Sequence, residues 1–361
     1  MPQKKALIAM SGGVDSSVAA FLMQQQGFDC IGVTMRLYDN APDEVSDSNT
    51  CCALEDVEDA RSVARRLGMP FYAFNFKEDF NKNVIETFIR CYECGLTPNP
   101  CIECNRHLKF ERLLRRAKEL GCDLIATGHY AQIRQDDATG RYILYKAADH
   151  SKDQSYVLYT LTQEQLAHTI FPLGSLSKSE AREIAQQQGF INARKHDSQD
   201  ICFVPDGDYV AFMERYTGKT YKPGTFLDLD GNVVGHHQGA VRYTIGQRKG
   251  LGLAMGAPVY VCSKNMECNT VTVGPNEALF SDTLLAEDWN WFPFPALDKP
   301  IHATAKARYN QPPQPATVYP EDGGTVRVVF DTPQRALTPG QAVVVYDGDM
   351  VIGGGTITKV L

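Results

Sequence analysis

The segment Ser11-Gly-Gly-Val-Asp-Ser-Ser17 lies between an apolar run, Lys5-Ala-Leu-Ile-Ala-Met10, and a helix-forming stretch from Ser16 to Gly27. A strand that runs into a glycine-rich turn and then a helix is the opening of an α/β unit, and it fixes where a ligand can sit. Glycines let backbone N–H groups close around an anion, and the helix N-terminus adds a favourable dipole. No Gly-Lys-Ser/Thr follows, so this is not a Walker loop, and the spacing does not fit GxGxxG either. A serine-capped turn without a ligand is the alternative. The strand–turn–helix setting favours the phosphate cradle.

The alternation continues downstream. Asp29–Leu37 reads as a second strand, Glu55–Gly68 as a helix with apolar positions Val57, Ala60, Val63, Ala64 and Leu67, and Phe71–Phe76 as a third strand. A helix over roughly Lys77–Cys94, a helix over His107–Gly121 and a strand over Asp123–Gly128 follow. Short strands alternating with helices predict a doubly wound parallel sheet.

After about residue 206 the texture changes. One helix, Tyr209–Tyr216, is followed by hairpin signals such as Asp230-Gly-Asn232 between Thr225–Leu229 and Val233–Gly235. Val259–Val261 and Thr270–Val273 read as further strands. The proline- and aromatic-rich stretch Trp289–Pro300 reads as a boundary. Beyond it His302–Arg308, Ala316–Tyr319, Thr325–Phe330, Ala342–Tyr346 and Val351–Val360 have the close spacing of a small β-barrel. The expected division is a catalytic α/β domain over 1–206, a central β-rich domain over 207–280 and a C-terminal barrel over 281–361.

With 43% hydrophobic and 22% charged residues the 361-residue chain has the balance of a globular protein. No apolar run is long enough for a membrane span, and the N-terminus does not read as a signal peptide, so a cytoplasmic location is expected. The net charge of −7 does not advertise RNA binding, although a local basic face can hide within it. Eleven cysteines, an odd number, point to free thiols, metal ligation or redox chemistry more than to a disulfide framework.

Two cysteine segments stand out. Thr97-Pro-Asn-Pro-Cys-Ile-Glu-Cys-Asn105 precedes a helix carrying Arg106, Lys109, Arg112, Arg115, Arg116 and Lys118. With Asn105 as N-cap, Cys104 would sit beside a helix N-terminus, a setting that favours thiolate. Asp197-Ser-Gln-Asp-Ile-Cys202-Phe-Val-Pro-Asp206 sets a second cysteine after a polar run. Each alone is more often a structural thiol.

Taken with Ser11–Ser17, Thr127-Gly-His-Tyr-Ala131, Lys152-Asp-Gln154, Tyr243-Thr-Ile-Gly-Gln-Arg-Lys249 and Leu337-Thr-Pro-Gly-Gln341, these segments resemble the bacterial tRNA-specific 2-thiouridylases of the ATP-pyrophosphatase superfamily, over essentially the whole chain. The resemblance implies an ATP-pyrophosphatase domain, a central β domain and a β-barrel. It implies ATP binding by Ala9, Met10, Ser11, Gly12, Gly13, Val14, Asp15, Ser16, Met35 and Gly128, with Mg²⁺. Cys202 would carry sulfur as a persulfide and Cys104 would be its catalytic partner. Asn99, Pro100 and Cys101 would approach the target base. His129, Lys152, Asp153, Gln154, Arg308, Tyr309 and Gln341 would contact tRNA. The implied reaction activates the C2 oxygen of the wobble uridine in tRNAs for Lys, Glu and Gln. A cysteine desulfurase or sulfur-relay protein would be the donor.

One departure from the family matters. Many members carry an aspartate where this chain has Cys101, so an acid/base role for that aspartate cannot be carried over. The change creates Cys101-x-x-Cys104, and with Cys202 three thiolates could hold a 4Fe–4S cluster as an alternative to the persulfide route. Cys91-Tyr-Glu-Cys94 could pair with Cys101-x-x-Cys104 as a zinc site, though cysteines on a helix are more simply small hydrophobes. The basic helix could contact phosphates or be an ordinary solvated face. Cys51 and Cys52 follow a polar segment near the expected ATP site. They are assigned no role.

Overall fold

The computed structural model describes residues 3–38, 54–195 and 201–361. Cys51 and Cys52 lie outside them. Strand β1 (Lys5–Ala9) pairs in parallel with β2 (Asp29–Arg36) on one side and β4 (Leu124–Ala126) on the other. β3 (Phe71–Asn75) and β7 (Thr169–Ile170) extend the sheet to the order β3-β2-β1-β4-β7. Alternation along β1 sends Ala6 and Ile8 into one apolar cluster and Leu7 into another on the opposite face, all fully buried. Both faces are therefore covered by helices, as a parallel sheet requires. The doubly wound expectation holds.

One helical feature agrees with the sequence reading and one differs from it. The helical run after β3 is continuous from Lys77 to Glu93, with a π-helical stretch at Asn81–Ile85. The basic helix begins at Pro100, not after Asn105. Asn99 is its N-cap, accepting the Cys101 N–H on Oδ1 at 3.1 Å, and Pro100 occupies the first turn where its missing N–H costs nothing. The run continues through a π-helical stretch, Cys104–Arg112, to Glu119. Asn105 is buried and donates to Val157 O at 2.9 Å instead of capping. Cys101, not Cys104, thus holds the helix N-terminus.

A hairpin that the sequence reading did not separate, β5 (Ala131–Gln135) and β6 (Tyr142–Lys146), leaves the parallel sheet. The central domain is a four-stranded sheet of β8 (Gly224–Leu227), β9 (Val233–His237), β10 (Tyr260–Asn265) and β11 (Thr270–Gly274), in the order β10-β11-β8-β9. A closed six-stranded barrel follows: β12 (Phe280–Trp291), β13 (Ile301–Lys306), β14 (Gln314–Pro320), β15 (Val326–Arg335), β16 (Ala342–Asp347) and β17 (Met350–Val360). The β12–β17 pairing closes it. Trp289 and Trp291, read from sequence as part of a boundary, stack at 4.7 Å within β12 and belong to the barrel. β17 also pairs with β6 at Met350 and Tyr145, so the barrel wall is continuous with the hairpin of the first domain.

Candidate active site

The carboxyl ends of β1, β2 and β4 open onto a cleft of about 670 Å³. The Ser11–Ser17 turn forms one wall. Gly12 has φ of +79°, and a Cβ there would fall 2.3 Å from Asp56 O, so only glycine lets the turn pass. Ser16 Oγ accepts from Ser11 N at 3.1 Å and donates to Gly13 O at 3.0 Å, and Ser17 Oγ also donates to Gly13 O. The turn is stapled by its own hydroxyls. Asn192 donates to Gly12 O and Ser17 Oγ from outside. Gly128, at the end of β4, packs where a Cβ would stand 2.8 Å from Asp15 C and Ser16 N.

Of the positions expected at ATP, Ala9, Met10, Ser11, Gly13, Val14, Asp15, Ser16, Met35 and Gly128 line the cleft, and Gly12 packs against the Asp56 backbone instead. Of those expected at tRNA, His129, Lys152, Gln154 and Tyr309 line the same cleft. Asp153 is turned inward: its carboxylate accepts from Ala147 N, Ser155 N and Ser155 Oγ. Arg308 donates to Ala336 O at 2.6 Å, Thr338 Oγ1 at 2.8 Å and Ile245 O at 3.3 Å, tying barrel to central domain. Gln341 donates to Thr97 O at 2.7 Å, and Thr97 N donates to Pro339 O at 3.0 Å. The barrel loop thus grips the start of the Asn99–Cys104 segment.

Sequence reasoning missed two cleft lysines. Lys178 Nζ meets both Asp15 oxygens at 2.7 and 2.8 Å, and Tyr130 OH donates to the same carboxylate at 2.9 Å. Lys195 Nζ bridges Asp56 at 2.5 Å and Asp59 at 2.8 Å. Lys178 opens an ordinary helix behind a Ser177/Glu180 capping box, so its sequence context reads as helix start and nothing more. Among the described residues that line the cleft, Lys109, Lys152, Lys178 and Lys195 face Asp15 and Asp56, with Asp59 behind Lys195. A chain of net charge −7 therefore has a positive pocket, suited to polyphosphate. Burial, with Lys109 nearby, holds His129 well below its usual pKa, and its Nδ1 lies 2.6 Å from Thr127 Oγ1.

The basic helix is largely tied into ion pairs. Arg106 meets Asp288 at 2.7 Å, Arg112 meets Asp79 at 2.9 Å, and Lys118 meets Glu164 at 2.6 Å. Only part of the positive face read from sequence is available to phosphates, Lys109 being the member that reaches the cleft.

Cys104 is 9% exposed within the apolar cluster of Phe80, Phe88 and Phe203, and Cys202 packs against that cluster. Tyr38, just beyond β2, donates to Cys202 O at 2.5 Å. Cys101 is exposed at the helix start, close enough to Tyr309 to help raise its phenol pKa, after burial and Asp153. Cys91 is half-buried on its helix and Cys94 is exposed just past its end. Among the described residues no three His, Cys, Asp or Glu side chains are gathered as a metal site, and this includes Cys101, Cys104 and Cys202 and the two CxxC pairs.

Comparison with known proteins matches residues 4–206 to a family described as the tRNA methyl transferase HUP domain, 210–275 to its PRC-barrel domain and 281–357 to an aminomethyltransferase beta-barrel domain. The chain is 50% identical over 358 residues to the tRNA-specific 2-thiouridylase MnmA of Clostridioides difficile (strain 630), covering 99% of each. It is 53% identical over 362 residues to the protein of that name from Symbiobacterium thermophilum, covering 99% of this chain and 93% of the relative. A solved 4-thiouridine synthetase–RNA complex with bound ATP aligns with 60% of this chain and 50% of its own, at 18% identity and a TM-score of 0.35.

Proposed function

The chain belongs to the tRNA-specific 2-thiouridylase family, and from that premise we propose how its own residues turn a uridine of tRNA into 2-thiouridine with ATP. The enzyme is a tRNA-uridine 2-sulfurtransferase. The observation that carries the mechanism is the positive cleft at the Ser11–Ser17 turn, bordered by Tyr309 with Cys101 beside it.

ATP lies with its phosphates against the N–H groups of the turn and the first helix, and Gly128 leaves room for the nucleotide at the end of β4. Lys178, held by Asp15, and Lys195, held by Asp56 and Asp59, are cations within reach of the phosphates, with Lys109 and Lys152 in the same cleft. Asp15 and Asp56 offer the hard oxygen donors that Mg²⁺ prefers. Bound there, Mg²⁺ would neutralise charge on the phosphates. The target uridine is flipped out, because C2 is inaccessible in a stack, and meets Asn99, Pro100 and Cys101. Its C2 oxygen attacks the α-phosphate and pyrophosphate leaves. Oxide, a hopeless leaving group, has become AMP.

The terminal sulfur of a Cys202 persulfide then attacks C2 and AMP departs. The Cys104 thiolate attacks the inner sulfur, the S–S electron pair passes to the transferred sulfur, and a Cys104–Cys202 disulfide remains. The wobble uridine of tRNAs for Lys, Glu and Gln is the target, and a cysteine desulfurase or its relay protein is the donor. Lys152, Gln154, Tyr309 and His129 at the cleft, with the inward-turned Asp153, Arg308 and Gln341 behind them, order the tRNA side. The described thiols do not fit a three-cysteine cluster, and no step is routed through iron. A methyl transfer, which the family label alone would suggest, gives the Cys202 persulfide no task.

The test is 2-thiouridine formation by anaerobically purified protein with ATP, Mg²⁺, tRNA and a persulfide donor, before and after iron chelation. Product formation that survives chelation and disappears in Cys202→Ser is expected. Activity that follows bound iron would overturn the persulfide route.

A further inference from the structure

We propose that Cys101 is a resolving thiol: after sulfur transfer it attacks Cys104 in the Cys104–Cys202 disulfide, freeing Cys202 and moving the disulfide to a Cys101–Cys104 pair whose Cys101 side is exposed. This rests on the persulfide reading above. Three observations carry it. First, the two cysteines share one helical run that starts at Pro100, and the Cys104 N–H donates to both Cys101 O and Pro100 O, which tightens the intervening turn. Three residues apart on a helix, their Cα atoms stand about 5 Å from one another, inside the range a disulfide spans. Second, their exposure is opposite: Cys101 is open to solvent and Cys104 is 9% exposed. A disulfide between Cys104 and Cys202 would join a buried sulfur to a half-buried one against the apolar cluster both touch, and so would be less open to a large reductant than one that includes Cys101. Third, Cys101 stands in the first turn, with its amide held by Asn99, where the helix end favours thiolate, the attacking species.

The step balances as thiol–disulfide exchange. The Cys101 thiolate forms a bond to Cys104 Sγ, the Cys104–Cys202 bond breaks, and the electron pair leaves on Cys202 as thiolate. An external dithiol, such as a thioredoxin-type protein, then reduces the Cys101–Cys104 pair and takes up its oxidation. Cys202 is ready for a new persulfide before that reductant arrives. The cysteine at position 101 thereby acquires a task that an aspartate there could not perform.

The test is a single turnover with persulfidated wild-type protein, ATP, Mg²⁺ and tRNA without reductant, followed by acid quench, alkylation and peptide mapping of disulfides. A Cys101–Cys104 disulfide with free Cys202 is expected. In Cys101→Ser the disulfide stays at Cys104–Cys202, and its reduction by a thioredoxin-type protein slows on the order of tenfold or more, because the intramolecular attack is lost. A wild-type protein that retains Cys104–Cys202 overturns the proposal and leaves the persulfide reading standing. Thiouridine formed with no disulfide at Cys104 in either protein overturns both.

Discussion

At the residue scale the site depends on positions where no side chain, or one uncharged side chain, is tolerated. A Cβ on Gly128 would press 2.8 Å onto backbone atoms of Asp15 and Ser16, which cannot yield as a flexible side chain would. Overpacking of that kind costs about 1–3 kcal/mol, and the strain falls on the phosphate turn. Gly128→Ala should therefore weaken ATP binding by roughly tenfold or more, read by calorimetric titration without tRNA. His129 makes a pH prediction. Burial holds its folded pKa well below the unfolded value of about 6.5, so the unfolded chain takes up the proton first. The stability that goes with neutral His129 is fully present above about pH 6.5 and is lost as pH falls below it. His129→Gln, which keeps a polar partner for Thr127, should flatten the fall in Tm between pH 7 and pH 5. An equal fall in both proteins would mean that His129 does not titrate on unfolding.

At the element scale, the barrel loop around Pro339–Gln341 acts on the Asn99–Cys104 segment by gripping Thr97 through two hydrogen bonds. A glycine is needed there: a Cβ at Gly340, with φ of +89°, would stand 2.8 Å from Thr97 N. A net hydrogen bond contributes about 1 kcal/mol, so Gln341→Ala should lower single-turnover thiolation about fivefold while tRNA Kd stays within about twofold. A large rise in Kd with little loss of rate would instead make Gln341 a direct RNA contact. This pairing could not be seen in the sequence, because it joins residues 244 positions apart. The strand–turn–helix opening was legible because local pattern and local backbone agree there. The start of the basic helix was misplaced because two good capping residues, Asn99 and Asn105, stand six apart and only packing against Val157 chooses between them. The cleft lysines escaped for a similar reason, since Lys178 and Lys195 acquire their meaning only opposite Asp15 and Asp56.

On the scale of the whole molecule the first domain and the barrel are built as one body. Asn290 donates to Tyr159 O at 2.6 Å and Leu161 O at 2.8 Å, and Arg141 donates to Phe292 O and Trp291 O. Tyr156, fully buried, donates to Ala342 O. Asn290→Ala leaves two carbonyls without their donor at a cost of about 1–3 kcal/mol, and it should lower Tm by a few degrees within a single shared transition of domain and barrel. Separate transitions in the wild type would contradict that coupling. The same coupling suits a reaction in which the tRNA, the nucleotide and the thiols must meet at one place. In the proposed route ATP is spent on the C2 oxygen of the uridine. The most direct test is to supply tRNA carrying ¹⁸O at C2 of the target uridine and to analyse the nucleotide product by mass spectrometry. One ¹⁸O in the phosphate of AMP is expected for each 2-thiouridine made, with pyrophosphate unlabelled. Label found in water or inorganic phosphate, or ADP as the nucleotide product, would contradict it.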